Sequence, residues 1–91
     1  MKSKEYSVVD FVGKKVFIQT VTYHYTGLVV METEDFFVLE QSAWIADSGR
    51  FADFLRTGIA EEVEPIGKNF VSKDSIVNII EFDHELPNEQ K

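Results

Sequence analysis

The chain has 91 residues and no cysteine, which argues for a single domain over residues 1–91 and excludes disulfide staples, zinc–thiolate sites and cysteine nucleophiles. Its formal net charge of −7 disfavours non-specific binding of polyanions such as nucleic acids. The first residues lack a secretory signal, and no apolar run approaches the roughly 20 residues that span a bilayer, so we expect a cytoplasmic protein that does not bind a membrane.

The first predicted element is a short amphipathic helix within residues 1–13. Ser7 with Asp10 three residues later has the spacing of a capping box, and Gly13 is a natural helix end. Two helical turns are unstable alone in water. We therefore expect this helix to dock across an open end of a β-barrel.

Alternating β-branched and aromatic residues then predict three strands in succession, at about residues 14–21, 26–33 and 35–45. Gly27 lies inside the second strand and predicts a bulge or a sharp bend. Tyr23, His24 and Tyr25 lie at the first reversal. These three side chains either stack on bases or on a partner, or simply pack across neighbouring strands.

The strand pattern is interrupted at residues 47–58, which are predicted to form a short helix between strands three and four. Residues 43–58 as a whole are assigned to a variable-loop insert. Asp47 or Ser48 is the expected helix cap, and Gly58 the expected end. Strand four is predicted at residues 59–66, with alternating faces and with Pro65 at an edge or bulge, and residues 70–71 are extended again. A tight turn at residues 73–75 leads to a last strand at residues 76–82, and the polar tail 83–91 is expected to fray.

These elements predict a mainly β fold. A short N-terminal helix precedes a five-stranded, strongly bent antiparallel open barrel of the Sm-like or SH3-like kind, with the helical insert between strands three and four. Strands four and five are its two free edges, and open edges favour pairing with another chain. If copies pair head to tail and the rotation closes, they form a ring.

The residues in this order resemble the Sm-like family, including its bacterial Hfq branch. The resemblance begins with the N-terminal helix and Gly13-Lys14-Lys15-Val16, and continues with Gly27 and, nine residues later, the apolar run 36–39. A second motif lies at residues 71–80. The resemblance covers nearly the whole chain except the insert.

The resemblance implies a closed ring of subunits that binds single-stranded RNA, often rich in uridine, at the loop between strands two and three and the turn between strands four and five. Phe37 is then a candidate to stack on a base and Lys73 to meet a phosphate. Thr33 stands where the family often has Asp, Phe37 where it has Asn, and Lys73-Asp74 where it has Arg-Gly. The positions that correspond to the family's pocket are Thr33, Asp35, Phe37, Lys73, Asp74 and Ser75.

A second candidate surface lies in the insert, where residue types enriched at protein interfaces are concentrated. These residues either contact a protein partner or another subunit, or form a satellite core that folds the insert onto its own barrel. They are Trp44, Arg50, Phe51, Phe54 and Arg56.

No spacing of histidine and carboxylate residues predicts a metal site, and no catalytic constellation or phosphate-binding glycine loop is present in the sequence. We therefore expect no enzymatic activity and no cofactor. The sequence favours a ring-forming protein associated with RNA. The alternative is a protein–protein scaffold ring that does not bind RNA, which the acidic balance and the altered pocket favour.

Overall fold

The computed structural model describes residues 10–90, and within them the chain forms five strands, one α-helix and one 3-10 turn. Residues 1–9 of the predicted N-terminal helix lie outside this range, while residues 10–13 form coil and a turn. The elements in chain order are β1 (Lys15–Thr20), β2 (His24–Glu32), β3 (Phe36–Asp47), α1 (Phe51–Thr57), β4 (Glu62–Ser72), the 3-10 turn (Lys73–Ser75) and β5 (Ile76–Glu81).

The five strands form one antiparallel sheet in the order β4-β3-β2-β1-β5. Neighbouring strands in the sheet are also neighbours in sequence, except that β1 lies between β2 and β5. Strands β4 and β5 are therefore the edges, as the sequence predicts. Pro65 lies on the edge strand β4, where its missing amide hydrogen costs no hydrogen bond to a strand beyond it.

The neighbouring strands β2 and β3 are irregular at the same level of the sheet. The register of β2 against β3 shifts at Gly27, and a Cβ atom there would lie only 3.0 Å from Cδ1 of Leu39. On β3, Gln41 adopts a left-handed conformation with a φ of 52°, and the next residue, Ser42, pairs with Gly67 of β4. Extra residues of this kind bend strands and increase their twist, which confirms the bend predicted at Gly27.

The sheet has a hydrophobic cluster on each face, because consecutive side chains of a strand point to opposite sides. Val16 and Ile18 of β1 contribute to one cluster, and Phe17 between them contributes to the other. The first cluster, called the inner core, contains Val16, Ile18, Val29, Phe37, Leu39 and Val71. The second, called the outer core, contains Phe17, Ala43, Ile45, Phe54, Ala60, Val63 and Phe82.

The insert is shorter than the sequence predicts, because residues 43–47 continue β3 rather than leaving the sheet. Asp47 and Ser48 do not cap the helix. Arg50 occupies the N-cap position without a side-chain hydrogen bond, while Oδ1 of Asp47 accepts a hydrogen bond from the amide of Gly49 at 2.8 Å. The predicted end is correct, since Gly58 adopts a left-handed φ of 75° and its amide donates to the carbonyl of Phe54.

Strand β4 also differs from its prediction. It begins at Glu62 and runs without interruption through Gly67 to Ser72. Ile59 precedes the strand and is exposed, whereas Ala60 and Val63 are both buried in the outer core. The alternation predicted for residues 59–66 is therefore wrong, because the chain bends between these two buried residues before strand pairing starts.

Candidate functional site

The two loops predicted to form a binding pocket meet at one end of the sheet. The amide of Lys73, at the start of the 3-10 turn, donates to the carbonyl of Asp35 in the β2–β3 loop at 2.9 Å. Within that loop, Oγ1 of Thr33 accepts a hydrogen bond from the amide of Phe36 at 2.9 Å. The hydroxyl of Ser75 donates to the carbonyl of Ser72 at 2.7 Å, which shapes the turn. Distant segments of sequence are thus joined here into one surface.

Lys73 is held at this surface by two partners. Its Nζ lies 2.6 Å from Oε2 of Glu32 and 4.9 Å from the centre of the Phe37 ring. The ion pair is only partly exposed, and the ring face offers the ammonium group a second favourable contact. Glu32 was not singled out from the sequence, since 41 residues separate it from Lys73. The one available sequence signal is its place in the polar stretch 32–35 between two predicted strands; its cross-strand pairing with Phe37 is seen only in the structure.

Phe37 is a residue of the inner core. Its exposed fraction is 7%, and Phe11 packs edge-on against its ring with centroids 5.9 Å apart. A nucleobase has no free face of this ring on which to stack. The neighbouring Phe36 points to the other side of the strand and is 40% exposed, so it is the accessible aromatic ring of this loop.

The charges around the joined loops are mainly negative. Glu34, Asp35 and Asp74 are exposed there, and the carboxylate of Glu32 already pairs with Lys73. A phosphate bound at Lys73 would have to replace Glu32 and approach three further carboxylates. Electrostatics at this end of the sheet therefore oppose an anionic ligand more than they attract one.

The residues proposed as a partner surface in the insert are separated by the structure. Phe54 is fully buried, and its ring lies 5.1 Å from that of Phe17, so it belongs to the outer core. Phe51 is partly exposed beside it. Trp44 belongs to β3 and projects from the opposite face, while Arg50 and Arg56 are exposed. The satellite-core interpretation thus holds for Phe54.

Trp44 belongs instead to an aromatic group with Tyr23 and Tyr25. The Tyr23 ring meets that of Trp44 edge-on at 5.5 Å, and Tyr25 is the cross-strand partner of Trp44. Burial of its hydroxyl, with a smaller contribution from the neighbouring Tyr23, raises the pKa of Tyr25 above its ordinary value of 10.0. His24 lies apart from this group, because its ring packs edge-on against Phe17.

The two edge strands expose large apolar side chains. Phe70 on β4 is 61% exposed and Val77 on β5 is 71% exposed, and Ile66 on β4 is also exposed. Each edge strand has one strand partner among the described residues and leaves its other side without one. Apolar side chains beside unpaired backbone groups favour pairing with another strand.

No protein-family model, curated protein or solved structure matches the chain. Within residues 10–90, no three histidine or carboxylate side chains are grouped closely enough to hold a metal ion. That part of the chain also contains no helix with the length and apolar character needed to cross a membrane.

Proposed function

We propose that the protein is an Sm-like assembly scaffold, in which copies pair the β4 edge of one subunit with the β5 edge of the next and close into a ring. The observation that carries the proposal is the pair of open edges with exposed Phe70 and Val77. Pairing adds a partner strand to the open side of each edge and reduces the exposure of both side chains. The sequence pattern around Gly13 and Gly27 supports the same family resemblance.

The ring is proposed to act by holding other proteins rather than RNA. The net charge of −7 and the ion pair between Lys73 and Glu32 both disfavour a polyanionic ligand. The exposed Arg50, Phe51 and Arg56 around α1 supply a surface of the residue types that protein interfaces favour. A cytoplasmic location and the absence of catalysis stay predictions from the sequence.

Light scattering during size exclusion tests the assembly. We expect a mass that is a multiple of the 10.5 kDa chain. Phe70→Lys and Val77→Lys each place a charge in the proposed interface, so each should reduce the mass to that of a single chain. Val21→Lys is the matched control, because Val21 is 78% exposed in the β1–β2 turn and lies on neither edge strand. A wild-type protein that is monomeric at high concentration rejects the ring.

RNA binding is the second candidate, and the joining of the two predicted pocket loops through Lys73 and Asp35 favours it. Short uridine-rich and adenine-rich oligoribonucleotides, titrated at low and moderate salt, decide between the candidates. Each phosphate contact on single-stranded RNA predicts an affinity loss of about threefold between 50 and 200 mM salt.

Lys73→Ala should weaken RNA binding if Lys73 meets a phosphate. Lys14→Ala is its control, since Lys14 is an exposed lysine paired with Glu81, away from the loops. Absence of binding at low salt, where phosphate contacts are strongest, removes RNA as a ligand and leaves the scaffold.

A further inference from the structure

The segment after β5, residues 83–90, is anchored on helix α1. Phe82, just before it, stacks on Phe54 with ring centroids 5.6 Å apart, and His84 packs edge-on against Phe82 at 5.2 Å. Nε2 of His84 lies 2.8 Å from the carbonyl oxygen of Leu55. A carbonyl only accepts, so this nitrogen is the donor. The bond satisfies a carbonyl in the last turn of α1, where no further helical turn supplies a partner.

The same segment then crosses the edge of β4. Leu86 packs against the outer core, to which Val63 contributes, whereas Nε2 of Gln90 donates to Oε1 of Glu64 at 3.0 Å. Val63 and Glu64 are consecutive residues of β4, so their side chains point to opposite faces of the sheet. Residues 87–89 must therefore pass around the edge of the strand at this level.

The crossing leaves a gap rather than a new strand. An open groove of about 530 Å³ lies between the segment and residues 57–63, and its walls include Ala60, Val63 and Leu86. Among the described residues, no backbone hydrogen bond joins the segment to β4. The segment covers this part of the edge with side-chain contacts alone, as natural proteins often cover an edge with a loop.

We propose that residues 83–90 act as a strap that closes the N-terminal half of the β4 edge, so that β5 of a second copy adds only along residues 66–72. The proposal rests on the assembly proposed above and specifies its register. The uncovered stretch is long enough for β5, which has six residues, and it carries both exposed apolar side chains of β4, Ile66 and Phe70. Without the strap, the eleven residues of β4 offer several alternative registers.

A reversible lock tests the strap directly, because the natural chain has no cysteine. The Glu64 and Gln90 side chains meet through their ends, so a spacer must replace their length, because a direct disulfide requires Cα atoms within about 7 Å. In the double variant with Glu64→Cys and Gln90→Cys, a short bifunctional methanethiosulfonate reagent should form an intramolecular bridge that reduction removes, measured by mass spectrometry and thiol titration. Failure to form this bridge overturns the strap, whatever the state of assembly. The locked protein should keep the wild-type mass by light scattering. A locked protein that becomes monomeric, while its reduced form assembles, shows that the neighbour needs the covered half and also overturns the proposal.

Release of the strap provides the complementary test. Leu86→Ser removes its apolar anchor, and we expect mixed registers and a larger average mass at equal concentration. Asn88→Ser is the control, since Asn88 is exposed in the same segment and its side chain makes no hydrogen bond to another residue in the range 10–90. If the wild type is monomeric, the ring is wrong, but Leu86→Ser should still begin to self-associate through the uncovered edge. Unchanged mass and unchanged concentration dependence for Leu86→Ser reject the strap.

Discussion

The contact between Gly58 and His84 gives the sharpest stability prediction. Gly58 ends α1 with a φ of 75°, and a Cβ atom placed there would lie 2.5 Å from Cγ of His84. Gly58→Ala therefore has two separate effects. It puts an alanine into the left-handed region, and it pushes His84 away from the helix, which removes the bond to Leu55 and the packing on Phe82.

The size of each effect follows from these contacts. A left-handed alanine costs about 1–2 kcal/mol. Loss of the His84 hydrogen bond costs about 0.5–1.5 kcal/mol, and loss of its aromatic contact with Phe82 about 0.5–1.5 kcal/mol. Gly67 has nearly the same φ, 77°, and no atom of the described part of the chain lies within 4 Å of a Cβ placed there, so Gly67→Ala incurs the first cost alone. Alanine also reduces the entropy of the unfolded chain equally in both variants. The difference between them should be about 1–3 kcal/mol.

Urea denaturation of both variants measures this difference. With a slope of about 1 kcal/mol per molar urea for a small domain, the midpoint of Gly58→Ala should lie about 1–3 M below that of Gly67→Ala. In a His84→Gly background the excess cost of Gly58→Ala should disappear, because the obstructing atoms are gone. Equal midpoints for the two alanine variants in the wild-type background would refute the anchoring of residues 83–90 on α1.

Three further predictions concern the core and the aromatic group. Thr26→Val should raise the free energy of unfolding by about 1 kcal/mol, because Oγ1 of Thr26 is buried without a hydrogen-bond partner among the described residues. Thr20→Val should lower it by about 1–2 kcal/mol, because Oγ1 of Thr20 bonds both backbone groups of Tyr23, and thermal and urea unfolding should show these opposite signs. Phe54→Ala should lower the free energy of unfolding by about 3–5 kcal/mol, and Phe51→Ala should lower it clearly less, because Phe51 is partly exposed. The same unfolding curves measure both losses, and equal losses would contradict the assignment of Phe54 to the outer core. The raised pKa of Tyr25 means that the folded state holds the phenolic proton more tightly than the unfolded state, so the free energy of unfolding should fall as pH rises above about 10. Tyr25→Phe should weaken that fall, and a pH profile of stability equal to that of the wild type would be the contrary result.

The strands and the bend were predictable because their signals are local. Alternating apolar residues identified the strands, and Gly27 identified the bend because the backbone of β2 approaches Leu39 there. The bulge at Gln41 has no comparable signal, since glutamine is seldom found in the left-handed region. The sequence predicts residues 43–45 both as the end of strand three and as the start of the insert. Pairing of Trp44 with Glu64 and of Asp47 with Glu62 places residues 43–47 in β3, and local pattern does not show how far such pairing extends.

The candidate pocket was only partly predictable from the sequence. The resemblance to the Sm-like family implies which two loops form the pocket, and these loops do meet through Lys73 and Asp35. It did not show which of two adjacent phenylalanines is buried, because a register change of one residue exchanges their faces. The sequence also does not show that Glu32 forms an ion pair with Lys73, since the two residues are far apart in sequence. Polar composition predicted a fraying tail, yet Leu86 and His84 hold it in place.

The burial of β1 on both faces limits where a partner can bind. Three consecutive residues of β1 are fully buried, namely Val16, Phe17 and Ile18. The inner core covers one side of the strand. On the other side lies the outer core, to which α1 and the C-terminal segment both contribute. The insert and the strap are thus parts of the fold, and removing them would expose a second core. Within residues 10–90, the surfaces free for a partner include the uncovered half of β4, the outer side of β5, the joined loops and the exposed residues around α1. The two strand edges both expose apolar side chains that can pack against each other, whereas the joined loops are acidic. Association between copies is therefore favoured over binding of an anionic ligand.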